Sequence, residues 1–282
     1  MSKPKPQAVA LVQPIALVQA PLVVFVANLR GGTGKTTTSL TFADLMALNG
    51  VEVAAFQVDE QPQLQTLLGR KVVSLLPQLG AASQPRALTS PFAPLYKACQ
   101  LAAADGGVVL VDVGANMISL IARWLRDVEL QEDLDAWGVR AVVLVPAVRE
   151  TAAVEGAIET LATLRAALPG AVPVFLENQR DDGFDTVKSN SELGRLLRDQ
   201  LPAALEGCAR LTMPAIEGEA WASFEAAGLR FIKALAMSPA DVAASIQEDV
   251  ADAKIMRSYL VRYLRAMHAE FQKVFLLPEG GA

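Results

Sequence analysis

Residues 22–38, LVVFVANLRGGTGKTTT, decide the fold. Leu22–Ala27 is an apolar run of β-type residues, long enough for one buried strand. Arg30-Gly31-Gly32-Thr33-Gly34-Lys35-Thr36-Thr37 follows, and Ser39 to Met46 then has helical spacing. Strand, glycine loop, Lys-Thr and helix in that order are the context of a phosphate-binding loop. Gly31, Gly32 and Gly34 let backbone N–H groups close around an anion with no Cβ in the way. The helix opening at Lys35–Thr37 adds the positive end of its dipole. Lys35 brings a charge to the terminal phosphates, and the Thr36 hydroxyl is placed to hold Mg²⁺. A plain glycine turn capped by Thr33 or Thr36 would need none of the flanking pattern. The coincidence of all the parts favours nucleotide binding.

Outward from this stretch, apolar β-rich runs recur at 51–58, 107–113, 140–146, 172–177 and about 209–214. Segments with helical periodicity separate most of them, at 35–48, 92–104, 115–127, 150–168 and 188–204. Such alternation predicts an α/β fold: a doubly wound, mostly parallel sheet covered on both faces. Ligands then sit at the carboxyl ends of the strands. Region 66–91 is less regular, with room for a short extra strand at 71–76. The chain divides into an N-terminal arm (1–21), a nucleotide-binding domain (22–237) and a C-terminal helical extension (238–282).

The extension begins on Ser238-Pro239-Ala240-Asp241, a helix start with Ser as cap and Pro at the first position. Ile246, Val250, Ala253, Met256, Leu260, Tyr263, Met267, Phe271 and Val274 follow at spacings of three or four. Lys254, Arg257, Arg262, Arg265 and Lys273 fall on the opposite face. A single helix over 239–277 would span about 57 Å, so the length favours more than one helix or a projecting one. The stripe suits packing on this or a second subunit. The basic face leaves DNA open, and the aromatic residues leave an anionic membrane open as the weaker alternative.

Composition narrows the chemistry. The 282 residues are 52% hydrophobic and 20% charged, with a formal net charge of −5, which describes a globular chain with no global pull toward nucleic acid. Cys99 and Cys208 are far apart and lack metal-ligand spacing. With His268 the single histidine, Ser-His-Asp, Cys-His and His-metal chemistries have almost nothing to use. Pro14 and Pro21 break the only N-terminal apolar stretch, and no run has the roughly 18 apolar residues of a membrane span. The expectation is a cytoplasmic protein.

Two further strand ends carry carboxylates. Val58-Asp59-Glu60-Gln61-Pro62-Gln63 closes the second apolar run, and Asp112-Val113-Gly114-Ala115-Asn116 closes the third. An Asp at the end of a buried strand suits the Mg²⁺ shell of a nucleotide, and Gly114 lets its N–H approach the γ-phosphate. Asn178 ends the run 173–179 and offers one donor and one acceptor.

The loop has Leu29 where the standard motif starts with Gly, and a cation directly before Gly31-Gly32. In this it resembles the deviant Walker A loop of the ParA/MinD family of ATPases, with Arg30 standing where that family has its signature lysine. The resemblance covers roughly residues 22–235 and implies a set of roles. Gly31, Gly32, Thr33, Gly34, Lys35, Thr36 and Thr37 would hold ATP; Thr36, Asp59 and Asp112 would serve Mg²⁺. Residues 58–63 would be switch I, with Gln61 in place of the usual water-positioning Asp. An amide can orient a water but cannot take its proton, so hydrolysis is expected to be slow. Gly114 would approach the γ-phosphate and Asn178 the adenine edge. Arg30 would act across an ATP-dependent homodimer. Catalysis would thus rest on Lys35, Arg30, Asp59, Gln61 and Asp112. The Asp-Val-Gly-Ala-Asn form with Trp124-Leu125-Arg126 looks similar to the StbB/TraL type of plasmid maintenance and conjugation ATPases. Family members position DNA, plasmid or protein cargo with a stimulating adaptor; nonspecific DNA binding is open, and a membrane less so. A non-hydrolysing scaffold and an ATP-dependent metabolic ligase of the same fold remain as alternatives.

Overall fold

The computed structural model describes residues 15–16, 21–61, 63–69, 71–76 and 90–276. Nine strands are present among them: β1 (Ile15–Ala16), β2 (Leu22–Ala27), β3 (Val53–Val58), β4 (Val73–Ser74), β5 (Val108–Val113), β6 (Arg140–Ala147), β7 (Val172–Asn178), β8 (Ala209–Met213) and β9 (Phe275–Leu276). Seven form one sheet in the order β4-β3-β5-β2-β6-β7-β8, every pairing parallel. The expected mostly parallel sheet is therefore wholly parallel among the described residues. The extra strand expected at 71–76 is β4, paired to β3 at one edge. β1 and β9 make a separate two-stranded parallel pair.

β2 is central because all six of its residues are apolar and buried, and a strand covered on both faces needs no polar alternation. Its side chains alternate between two cores. Leu22, Val24 and Val26 face a layer containing the helix Lys35–Leu48 and the C-terminal helices. Val23, Phe25 and Ala27 face the helices Ala93–Asp105, Ile118–Asp127, Leu130–Trp137 and Thr151–Ala167. The chain order reverses at β2, between β5 on one side and β6 on the other. A crevice therefore opens at the carboxyl end of β2, where the glycine loop lies.

The C-terminal segment is two helices, Pro239–Ile246 and Val250–Phe271. Gln247 takes the left-handed conformation (φ 59°), and the Asp249 carboxylate caps the second helix on the N–H groups of Ala251 and Asp252. The apolar stripe packs inward. Ala253, Leu260, Tyr263, Met267, Phe271 and Val274 are buried in the core shared with β2, while Val250 stays exposed. Phe42 of the glycine-loop helix meets Phe271 and Phe275 edge-on or tilted, with ring centroids 5.9 and 5.3 Å away. Of the basic face, Arg257 donates to Leu235 O and Arg262 pairs with Glu217. No described helix is long and apolar enough to cross a membrane.

Candidate nucleotide site

The glycine loop is held from below before it closes around anything. Asn28, fully buried at the end of β2, donates through Nδ2 to Pro146 O (2.8 Å) and Ala153 O (3.1 Å). Its Oδ1 accepts from Arg30 N at 2.8 Å. Leu29 N donates to the Thr160 hydroxyl at 2.9 Å. Gly156 makes room for this anchor, since a Cβ there would sit 2.7 Å from Asn28 Oδ1. Neither Asn28 nor Thr160 stands out in the sequence, because each works on backbone far away along the chain. Gly32 (φ 73°) and Gly34 (φ 91°) take the left-handed conformation that L side chains avoid. Lys35 folds back to donate to Arg30 O at 2.9 Å, bridging the loop as it would around phosphate. Burial lowers the pKa of its ammonium, while the charges of Asp112 and Asp59 pull it up.

Asp112 and Asp59 both lie close enough to Lys35 for their charges to act on it. Asp112 Oδ2 accepts from the Thr36 hydroxyl and Oδ1 from the Ser39 hydroxyl, both at 3.0 Å. Ser39 lies one helical turn after Thr36 and was not singled out as a site residue. Burial pushes the Asp112 pKa up to about 6, against the two hydroxyl bonds and the Lys35 charge. Asp59 lies opposite: a Cβ on Gly114 would come within 2.7 Å of its carboxyl carbon, so any larger residue there would displace the carboxylate. Gly114 N donates to Val58 O at 2.8 Å, tying the two strand ends together. Asp59 Oδ1 accepts from Gln61 N at 3.1 Å, which turns the chain so that Gln61 faces solvent. Lys35, Thr36, Thr37, Asp59, Gln61 and Gly114 line one cavity of about 370 Å³.

Among the described residues, no group of three or more His, Cys, Asp or Glu side chains is arranged to hold a metal ion. The hydroxyl of Thr36 with Asp112 and Asp59 instead fits Mg²⁺, which keeps several waters and takes one or two carboxylates plus substrate phosphates.

A second cavity, about 390 Å³, adjoins the first and is mainly apolar, with Met213, Pro214, Ile216, Trp221 and Tyr263 in its wall. Asn178 stands at its edge, 4% exposed. Its Nδ2 donates to Thr33 O at 3.0 Å and its Oδ1 accepts from Arg180 N at 3.1 Å. Asn178 thus braces the loop backbone. Arg180 Nη1 donates to Gly32 O at 3.0 Å, and the rest of its guanidinium pairs with Asp181. Arg180, Trp221 and Glu225 lie on no sequence motif, and Tyr263 shows in the sequence only as a member of the C-terminal apolar stripe. Tyr263 reaches the site from the C-terminal helix, where its hydroxyl hydrogen-bonds Thr41 at 2.8 Å.

Arg30 points away from the loop's own cavity. Its guanidinium pairs with Glu150, the residue before the helix Thr151–Ala167, at 2.7 Å, with both side chains about half exposed.

The model of the CobQ/CobB/MinD/ParA nucleotide binding domain matches residues 24–261. No curated protein sequence matches the chain. Several solved structures share its outline. One is the ATP complex of a Cyanothece McdA variant, at 17% identity over 84% of this chain and 96% of that one, with a TM-score of 0.46. The MinC:MinD complex of Aquifex aeolicus gives 12%, 89% and 97%, with 0.47. A plasmid partition protein of Borrelia burgdorferi gives 12%, 88% and 99%, with 0.42.

Proposed function

The chain belongs to the CobQ/CobB/MinD/ParA nucleotide-binding domain family, and from that premise we propose a Mg²⁺-ATP-dependent dimerising switch that positions DNA, plasmid or protein cargo. The observation that carries this reading is Arg30. It is a cation directly before Gly31-Gly32, half exposed, and turned outward from its own loop. Such a residue can reach phosphates bound to a second subunit, and a guanidinium can grip them with two parallel N–H bonds. Glu150 holds it within the chain until then.

In this reading Lys35 and the backbone of Gly31–Thr37 bind the phosphates. Thr36, Asp112 and Asp59 would hold the Mg²⁺ shell, and the metal would supply charge neutralisation to the bound phosphates. Gly114 keeps the space beside Asp59 open for the γ-phosphate. Gln61 orients the water that attacks the γ-phosphorus as the bond to the leaving ADP oxygen breaks. The amide takes no proton, so the water's proton passes to a γ-phosphate oxygen, and basal turnover is slow and invites a stimulating partner. The same amide favours a second reading, a scaffold that binds ATP without hydrolysing it, identified by tight binding with no phosphate release.

Arg30→Ala tests the switch. The variant is expected to bind ATP within about threefold of wild type, because surface substitutions outside a pocket usually cost within about 0.5 kcal/mol. It is expected to stay monomeric with ATP on size-exclusion chromatography, where the wild type elutes as a dimer. A variant that dimerises like wild type removes the role across the interface.

A further inference from the structure

The phosphate cavity and the apolar cavity share four residues: Gly34, Thr37, Arg180 and Glu225. They mark the neck where the two lobes meet. A nucleoside triphosphate with its phosphates on the glycine loop and its base in the apolar lobe has its sugar at that neck. Arg180 is already committed to Gly32 O and Asp181. Glu225 is the anionic side chain that remains, and among the described residues no cation pairs with it.

Trp221 and Glu225 stand four residues apart on the helix Ala220–Ala226 and so share one face. The Trp221 indole N–H is buried and has no hydrogen-bond partner. It sits beside the Glu225 carboxylate, outside hydrogen-bonding geometry. Burial raises the Glu225 pKa and the indole N–H opposes that rise. A carboxylate has two oxygens and only accepts. A small rotation gives one oxygen to the orphaned indole and leaves the other toward the neck. There the ligand groups that donate are the hydroxyls of a ribose. A lone carboxylate facing a triphosphate would otherwise repel it, and two sugar O–H donors reverse the sign of the interaction.

We propose that Glu225, braced by Trp221, accepts the ribose hydroxyls of the bound nucleotide and is the residue that recognises the sugar. This rests on the nucleotide-binding part of the reading above and is independent of the dimer switch.

The test is calorimetric titration of the full chain in Mg²⁺ buffer with ATP and with 2′,3′-dideoxy-ATP, for wild type and Glu225→Ala. A hydrogen bond to a charged group translates to about tenfold or more in affinity. Wild type is expected to prefer ATP over the dideoxy analogue by that factor. Glu225→Ala is expected to lose that preference: ATP binds less tightly than to wild type, while the analogue, relieved of the carboxylate's repulsion, binds as tightly as to wild type or more tightly. Equal wild-type affinity for the two nucleotides overturns the proposal. So does a variant that weakens or tightens both equally, which would be a general charge or packing effect. If neither nucleotide binds, the nucleotide reading fails and this proposal falls with it; binding without discrimination sinks this proposal alone.

Discussion

Asp112 shows how a single residue is placed for chemistry against its own stability. It ends a strand whose six residues are all buried, with two hydroxyls and no directly paired cation to satisfy it. Burial pushes its folded pKa up to about 6, from an ordinary aspartate value of 3.8. A raised pKa contributes stability that is complete below the unfolded value and is lost as pH rises through the folded one. The difference corresponds to about 3 kcal/mol. In nucleotide-free, metal-free protein, Asp112→Asn should therefore be more stable than wild type at pH 8, by up to that amount, with the gap closing by pH 4. Urea unfolding at the two pH values reads it; parallel pH profiles for the two proteins would contradict it. Asp112 was legible in the sequence because a carboxylate closing an apolar run is conspicuous. Arg180, Trp221 and Glu225 were not, since each is an ordinary polar or aromatic residue brought to the cleft by the path of the chain. Asn178 was visible as a strand end, yet its bond to Thr33 O needs coordinates 145 positions apart.

Between elements, the most demanding contact is a carboxylate on the glycine-loop helix. Asp44 is completely buried, and it accepts from Arg230 Nε at 2.6 Å and from Ile232 N at 3.1 Å. Burial pushes its pKa up while Arg230 pulls it down. The pair ties the helix Lys35–Leu48 to the start of the helix Phe231–Ala236, just past the wall of the apolar lobe. Arg230→Ala leaves a buried charge unpaired and should cost about 3–5 kcal/mol, measured by chemical denaturation. A loss below about 1 kcal/mol would show that water reaches Asp44. Alternation of apolar runs and helical spacing gave away the sheet and most helices. The short helices Gln63–Leu68, Ala220–Ala226 and Phe231–Ala236 did not show, for six or seven residues hold less than two turns of pattern. The break at Gln247 was hidden as well, because it falls on a residue with no turn preference, where glycine would have announced it.

At the scale of the molecule, the sheet divides two cores, and the C-terminal helix belongs to one of them alongside the glycine-loop helix. Amide hydrogen exchange should follow: Leu260, Tyr263 and Leu264 should exchange as slowly as β2, in one cooperative unit. Markedly faster exchange across Val250–Phe271 would make that helix a separately opening part. The same architecture has a consequence for how the chain is made. β2 sits at the centre of the sheet, yet it is the first of the seven strands to leave the ribosome, ahead of both neighbours. The Tyr263 that closes the cleft follows its partner Thr41 by 222 positions, roughly 10–45 s of translation. Until β5 and β6 emerge, the six apolar residues of β2 have no neighbouring strand, and until Tyr263 emerges the cleft lacks its wall from the C-terminal helix. A chaperone that shields β2 until its neighbours emerge is expected to raise the folded yield, and equal refolding yield with and without one would contradict that.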